Sequence, residues 1–322
     1  MRQAGVVGLA LLLLAPLVLS EFFLHLLILI AFWAYLGSAW NILSGYAGQL
    51  SIGHAAFLGV GAYTSTLLWV NFGVTPWVGM FGAAVTAGTI GLFQGFVSFH
   101  YGLRGPYFAL ATIAFAEVLR LIFNNWMVLG AALGILIPLE GHAPSIFQFE
   151  TKAPYYYTML AMVVGVLALV RLMERSRLGY QMVAIRENEE TAESLGIDAK
   201  RVKLTAIALS AGLTGMGGAF YAQYYLYIDP ATTFGISVSI DIMIRPIIGG
   251  MGTLWGPVVG SVILTPLSEV TRYVFGGRYA GVALMSYGAI LMLVVLLAPG
   301  GVVSWVRELR RRRPRRLREE TP

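Results

Sequence analysis

The chain has no cysteine, three lysines among its 322 residues, and charged side chains at only 12% of positions. Without cysteine there are no disulfides, thiolate metal sites or cysteine nucleophiles. The four histidines, His25, His54, His100 and His142, are scattered too widely to suggest a metal cluster. No nucleophile and base cluster with paired carboxylates, so the composition argues against a membrane enzyme. A Gly-x-x-x-x-Gly-Lys-Ser/Thr phosphate loop is missing too. Any work driven by ATP therefore takes its ATPase from another polypeptide.

What the chain does have is apolar surface. Hydrophobic residues make up 57% and the mean hydropathy is +0.74, against about 45–50% apolar and about 25% charged in soluble domains. This is the composition of an all-α polytopic membrane protein. The net charge of +6 is concentrated. Seven of the 22 Lys and Arg lie between Arg171 and Lys203 and eight between Arg307 and Arg318. Nucleic acid is not the partner such a distribution suggests. The positive-inside rule puts both basic regions in the cytoplasm, and the tail 307–322 also suits anionic membrane lipid.

The apolar runs divide the chain into about ten predicted spans within one transmembrane domain, 1–322. Met1 to Ser20 reads as a first span, since a second apolar run follows at once and no small-residue cleavage site intervenes. Phe22–Leu43, Ser44–Tyr63, Pro76–Phe99, Pro106 to about Asn124, and Pro154–Val170 come next. After the charged island follow Leu204–Tyr225, a short segment at Ile240–Gly250, a helix opened by Gly256-Pro257, and Tyr279–Ala298. Ten spans with the island between the sixth and seventh place both termini inside.

The island 171–203 has to lie outside the hydrocarbon. Within it, Glu187–Leu195 reads as a short surface helix stopped by Gly196, with Asp198 capping the next helix at Ala199. Ser44–Tyr63, SGYAGQLSIGHAAFLGVGAY, is the other unusual stretch. Gly45, Gly48, Gly53 and Gly59 allow close backbone approach or a helix break within the membrane, and Gln49, Ser51 and His54 place polar groups among them. Gly249, Gly250 and Gly252 form a second glycine turn, ahead of Gly256. Three acids are each followed by an arginine on the same helix face: Glu117 with Arg120, Asp241 with Arg245, and Glu269 with Arg272. Such pairs either neutralise themselves within the bundle or line a polar path.

The stretch AIRENEETAESLGIDAKRVKLTAIALSAGLTGMGGAFYA resembles the corresponding part of the branched-chain amino acid permeases of ABC importers, M-type. Its Ala192, Gly196 and Ile197 resemble the ATPase-coupling loop of importer permeases. SGYAGQLSIGHAAFLGVGAY and GGMGTLWGPVVGSVIL are similar to two further signatures of the same family, and the likeness runs from about Leu43 to Pro299. Two features depart from it: Arg245-Pro246 stands where aliphatic residues are usual, and VLGAALGILIP where a Thr-Gly or Gly-Gly turn is usual.

The resemblance implies a permease subunit without cofactor, in a bacterial inner membrane. It would pair with a second, homologous permease, two cytosolic ATPases and an external solute receptor. Arg186, Glu187, Glu189, Glu190, Ala192, Leu195, Gly196 and Ile197 become the expected coupling residues. Gln49, Ser51, His54, Glu117, Asp241 and Arg245 become candidates for the path. Importers of urea, short amides or small carboxylates share these signatures, and a stand-alone secondary transporter or channel also accommodates broken spans and charge pairs.

Overall fold

The computed structural model describes residues 13–16, 18–141, 143–275, 288, 292 and 301–303. Most of the first apolar run, the expected span Tyr279–Ala298, the tail 307–322 and the side chain of Arg272 lie outside the described residues.

Helix α1, Glu21–Asn41, closes through a wide turn at Ile42–Tyr46, where the Ala47 N–H reaches back five residues to the Ile42 carbonyl. Residues 47–54 are not helical. The single span expected over Ser44–Tyr63 is thus a break followed by a longer helix, α2, Ala55–Phe72. Periodicity could not show this, because the break is as apolar and glycine-rich as the helix. Gly73, at φ 64°, ends α2, its N–H bonding the Leu68 and Trp69 carbonyls. Helices α3, Pro76–His100, and α4, Pro106–Asn125, each open on a proline whose missing N–H costs a first turn nothing.

The loop 126–151 carries strand β1, Ile135–Leu136. Helix α5, Lys152–Glu174, extends beyond the expected Val170 into the charged island. The island's surface helix is in fact two. Helix α6, Arg177–Glu187, is capped by Ser176, and α7, Glu189–Ser194, by Asn188, whose side chain accepts from the Thr191 N–H at 2.9 Å. Gly196 stops α7 at φ 85°, and Asp198 caps α8, Ala199–Tyr225, both as expected.

Strand β2, Tyr227–Ile228, pairs antiparallel with β1, Ile135 opposite Ile228. A broken span follows, made of α9, Pro230–Phe234, and α10, Ile236–Gly250, and then α11, Gly256–Phe275. Among the described residues, seven helical segments are long and apolar enough to cross a membrane.

Helices α2, α3 and α8 form the tightest part of the bundle, and glycine explains it. A Cβ on Gly61 would run into the backbone of Gly215, and one on Gly218 into the Leu58 carbonyl. Helices that approach this closely gain dispersion contacts where lipid offers no hydrophobic drive. The charged island, the turn before α4 and the glycine turn after α10 share one end of the bundle, joined by Arg104 to Glu189 and by Arg186 to Gly45. Loop 126–151 and the β-pair share the other end, where the Trp77 indole donates to the Pro144 carbonyl and Lys152 pairs with Glu21.

Candidate functional site

Residues 47–54 turn back into the bundle alongside α1. The Trp40 indole donates to the Ser51 carbonyl at 2.7 Å, and the Ser44 hydroxyl donates to the Gln49 carbonyl and accepts from the Ser51 N–H. At the tip, His54 is fully buried. Its Nδ1 meets the Ser51 hydroxyl and its Nε2 the Ser210 hydroxyl, each at 2.8 Å. Ser210 itself donates to the Ala39 carbonyl at 2.7 Å. With that proton committed, Ser210 accepts from Nε2–H. His54 is therefore a rivet between α1, α2 and α8.

Ser210 is the twelfth residue of α8, about 17 Å along it at 1.5 Å per residue, so α2 begins deep inside the bundle. Its first N–H, at Ala55, donates to the Ser239 hydroxyl on the first turn of α10. The Ile52 N–H is held by the Thr112 hydroxyl of α4. Two helix starts and a non-helical peptide thus meet at depth, where irregular backbone is tolerated only when protein satisfies it or a cavity faces it. Gln49 is buried, and its Oε1 has no hydrogen-bond partner among the described residues. Gly53 faces the Thr112 backbone and Gly59 the Phe234 ring, so a side chain at either would push α4 or α9 away.

The two other charge pairs fall in different places. Arg245 is 2% exposed, its guanidinium 4.0 Å from the centre of the Trp33 ring, with Nη1 donating to the Asp241 carboxylate at 3.3 Å and to the Asp241 carbonyl. Asp241 is 39% exposed. The pair is a buried cation lying on an aromatic face, its acid towards the surface. Glu117 and Arg120 make a two-pronged ion pair, at 2.8 and 2.5 Å, on the outward face of α4, away from the other polar groups of the site.

In the charged island, the first two of the three glutamates of α7 behave differently. Glu189 is 17% exposed and bonds buried Lys203 at 2.5 Å and Arg104 at 3.4 Å, an internal anchor onto α8. Glu190 and Leu195 are exposed, and Ala192 is buried beneath them. Ile197 turns its N–H back to the Ala192 carbonyl at 3.1 Å, closing the turn at Gly196. Arg186, at the end of α6, is ion-paired with Glu187 and donates from Nη1 to the Gly45 carbonyl at 3.0 Å.

Gly48, at φ 70°, and Gly252, also at φ 70°, crowd the same arginine. Asn41 completes the junction, accepting from the Gly252 N–H at 2.9 Å and donating to the Thr253 carbonyl at 3.0 Å. Gly249 packs against Gly256, and Gly256 against Gly250. The island, the re-entrant break and the glycine turn after α10 are consequently one connected unit. A cavity of about 400 Å³ opens beside it, lined by Arg171, Glu174 and residues 252–255.

Ser210, Ser239, Thr112, Asn41, Trp33 and Lys203 escaped sequence reasoning. Each acts on a residue far away in the chain, and a lone Ser or Asn in an apolar helix looks like any other.

The family model described as "Branched-chain amino acid transport system / permease component" matches residues 22–298. The chain is 27% identical over 320 residues to the high-affinity branched-chain amino acid transport system permease protein LivM of Escherichia coli, covering 91% of this chain and 72% of that one. It is also 27% identical to LivM of Salmonella typhimurium, over 84% and 68% of the two chains. To the LivH permease of the E. coli system it is 23% identical, over 84% of this chain and 91% of that one. No solved structure matches.

Proposed function

The chain belongs to the family of branched-chain amino acid transport system permease components, and from that premise we propose that it is the LivM-type permease subunit of a bacterial ABC importer for branched-chain amino acids. It sits in the inner membrane with the charged island in the cytoplasm. A LivH-type permease stands beside it, two ATPases dock below, and an external solute receptor delivers substrate above. The permease makes and breaks no covalent bond. It alternates access between the two sides as the ATPases close and open.

One observation carries the coupling step: Arg186 ends the first island helix and grips the Gly45 carbonyl at the start of the re-entrant break. An ATPase bound to the exposed side of α7, at Glu190 and Leu195, pulls on α6 and α7. Arg186 passes that pull to Gly45, at the start of the re-entrant break, and to Gly252, in the glycine turn after α10. These are end positions able to absorb backbone rotation.

The test is uptake into proteoliposomes holding this chain, its LivH-type partner, the ATPases and the receptor. Leucine uptake should require ATP hydrolysis, and urea, acetamide and small carboxylates should not compete. Uptake that persists without the ATPases would point to a stand-alone transporter. Competition by urea or an amide would reassign the substrate.

A further inference from the structure

The outward face of α4 sets it apart from its neighbour α3. Along α3 the exposed stripe runs through Trp77, Phe81, Val85, Leu92, Phe93 and Phe96, with no ionisable side chain from Trp77 to Val97. That face matches lipid tails. Along α4 the exposed stripe runs through Tyr107, Leu110, Ala114, Glu117, Val118 and Leu121, and it carries the Glu117–Arg120 pair. Glu117 is the twelfth residue of α4, about 17 Å from its start, which places it near the middle of a hydrocarbon core about 30 Å thick. The Glu117 side chain is 49% exposed and that of Arg120 29%.

An ion pair half open at that depth is not stable against acyl chains. Intramembrane charges face protein or water. Nothing among the described residues covers this one, although its opposite face, at Phe108, Thr112 and Ala116, is buried against the bundle. Thr112 on that buried face holds the re-entrant peptide, so α4 stands between the break and its own outward stripe.

We propose that the outward stripe of α4 is the surface on which the second, homologous permease docks, and that Glu117 and Arg120 line a water-filled seam between the two subunits. The partner is a LivH-type chain rather than a second copy. E. coli has LivM and LivH proteins named for one transport system, and this chain is similar to both. The inference rests on the reading of this chain as half of a paired permease, and it adds which face makes the pair and that the seam is wet.

Because the chain has no cysteine, each single-cysteine variant adds one thiol to this subunit, and the importer with the unmodified chain serves as the blank. In the reconstituted four-component importer, Ala114→Cys and Leu121→Cys are compared with Val85→Cys and Phe93→Cys on the lipid-type face. A charged, membrane-impermeant methanethiosulfonate reagent reads water, because only a hydrated thiol ionises and attacks. The α4 sites should react roughly tenfold or more faster than the α3 sites. A photo-crosslinking residue at Leu110 should give an adduct with the mass of this chain plus the LivH-type partner.

Equal, slow reaction on both helices, or capture of lipid alone at position 110, would overturn the proposal. So would an adduct of two copies of this chain. The two readings fail separately. A LivH-type adduct without ATP-driven amino acid uptake defeats the importer reading and leaves the docking face standing. Normal uptake with an inert α4 stripe does the reverse.

Discussion

At His54, function and stability meet in one side chain, because its two ring nitrogens hold Ser51 and Ser210 in place. Replacing it by Ala leaves both hydroxyls short of a partner in a site closed to water, at about 1–3 kcal/mol per buried group. His54→Ala should therefore lower the unfolding temperature of the purified complex along with uptake. Loss of uptake at an unchanged unfolding temperature would show that the ring serves the path instead.

The Asp241–Arg245 pair predicts an asymmetry. Arg245 is the buried partner and Asp241 the partly exposed one. Asp241→Asn leaves a buried cation with one neutralising group fewer, a change that costs about 3–5 kcal/mol in the strongest cases. Arg245→Gln leaves an acid that reaches the surface, so it should destabilise less. The double variant should recover most of the stability in a double-mutant cycle followed by thermal unfolding. If it recovers stability while uptake stays low, Arg245 meets the substrate as well as Asp241.

Arg186 gives the sharpest residue-level expectation. Arg186→Gln removes the link to the Gly45 carbonyl without touching the exposed side of α7. ATPase subunits should still co-purify, while uptake per ATP hydrolysed falls roughly tenfold, within the 0.5–2 kcal/mol typical of coupling residues. An unchanged coupling ratio would remove Arg186 from the relay.

At the scale of elements, α7 has one face turned inward and one outward. Charge reversal at Glu189 breaks its bonds to Lys203 and Arg104 and should loosen α7 from α8. Reversal at Glu190 should weaken ATPase binding and leave the fold intact. Gly196→Pro forces a residue fixed near φ −65° into a position at φ 85°, so it should abolish ATP-driven uptake while the chain still reaches the membrane. Co-purification and protease resistance of the three variants distinguish the cases; identical behaviour of the two charge reversals would refute the division. Gly59→Leu, which drives a side chain into the Phe234 ring, should part α2 from α9 and block assembly or uptake.

For the whole molecule, the proposal places the island and the loop 126–151 on opposite sides of the membrane. Leu195 and Val128 are both well exposed. Leu195→Cys should react with an impermeant reagent only in inside-out vesicles, and Val128→Cys only in right-side-out ones. Labelling of both from one side would invert or dismantle the arrangement. The arginine tail 307–322, expected on the island side by its charge, can be followed in the same vesicles through a cysteine at Leu317.

Apolar composition, the single charged island and the proline and glycine punctuation were enough to determine a helical membrane protein, most helix starts, the Gly196 stop and the Asp198 cap. These are local matters of solvent preference and backbone freedom, written in neighbouring residues. Chain order alone could not reveal that Ser44–Tyr63 is a break plus a helix, or that Arg186 reaches Gly45 across 141 positions. Nor could it separate two similar acid–arginine pairs, Asp241–Arg245 with its cation buried on Trp33 and Glu117–Arg120 on an outward face. Each of those outcomes depends on which distant helix arrives at the same depth, and on whether it brings a hydroxyl, an aromatic ring or nothing, so only tertiary packing decides them.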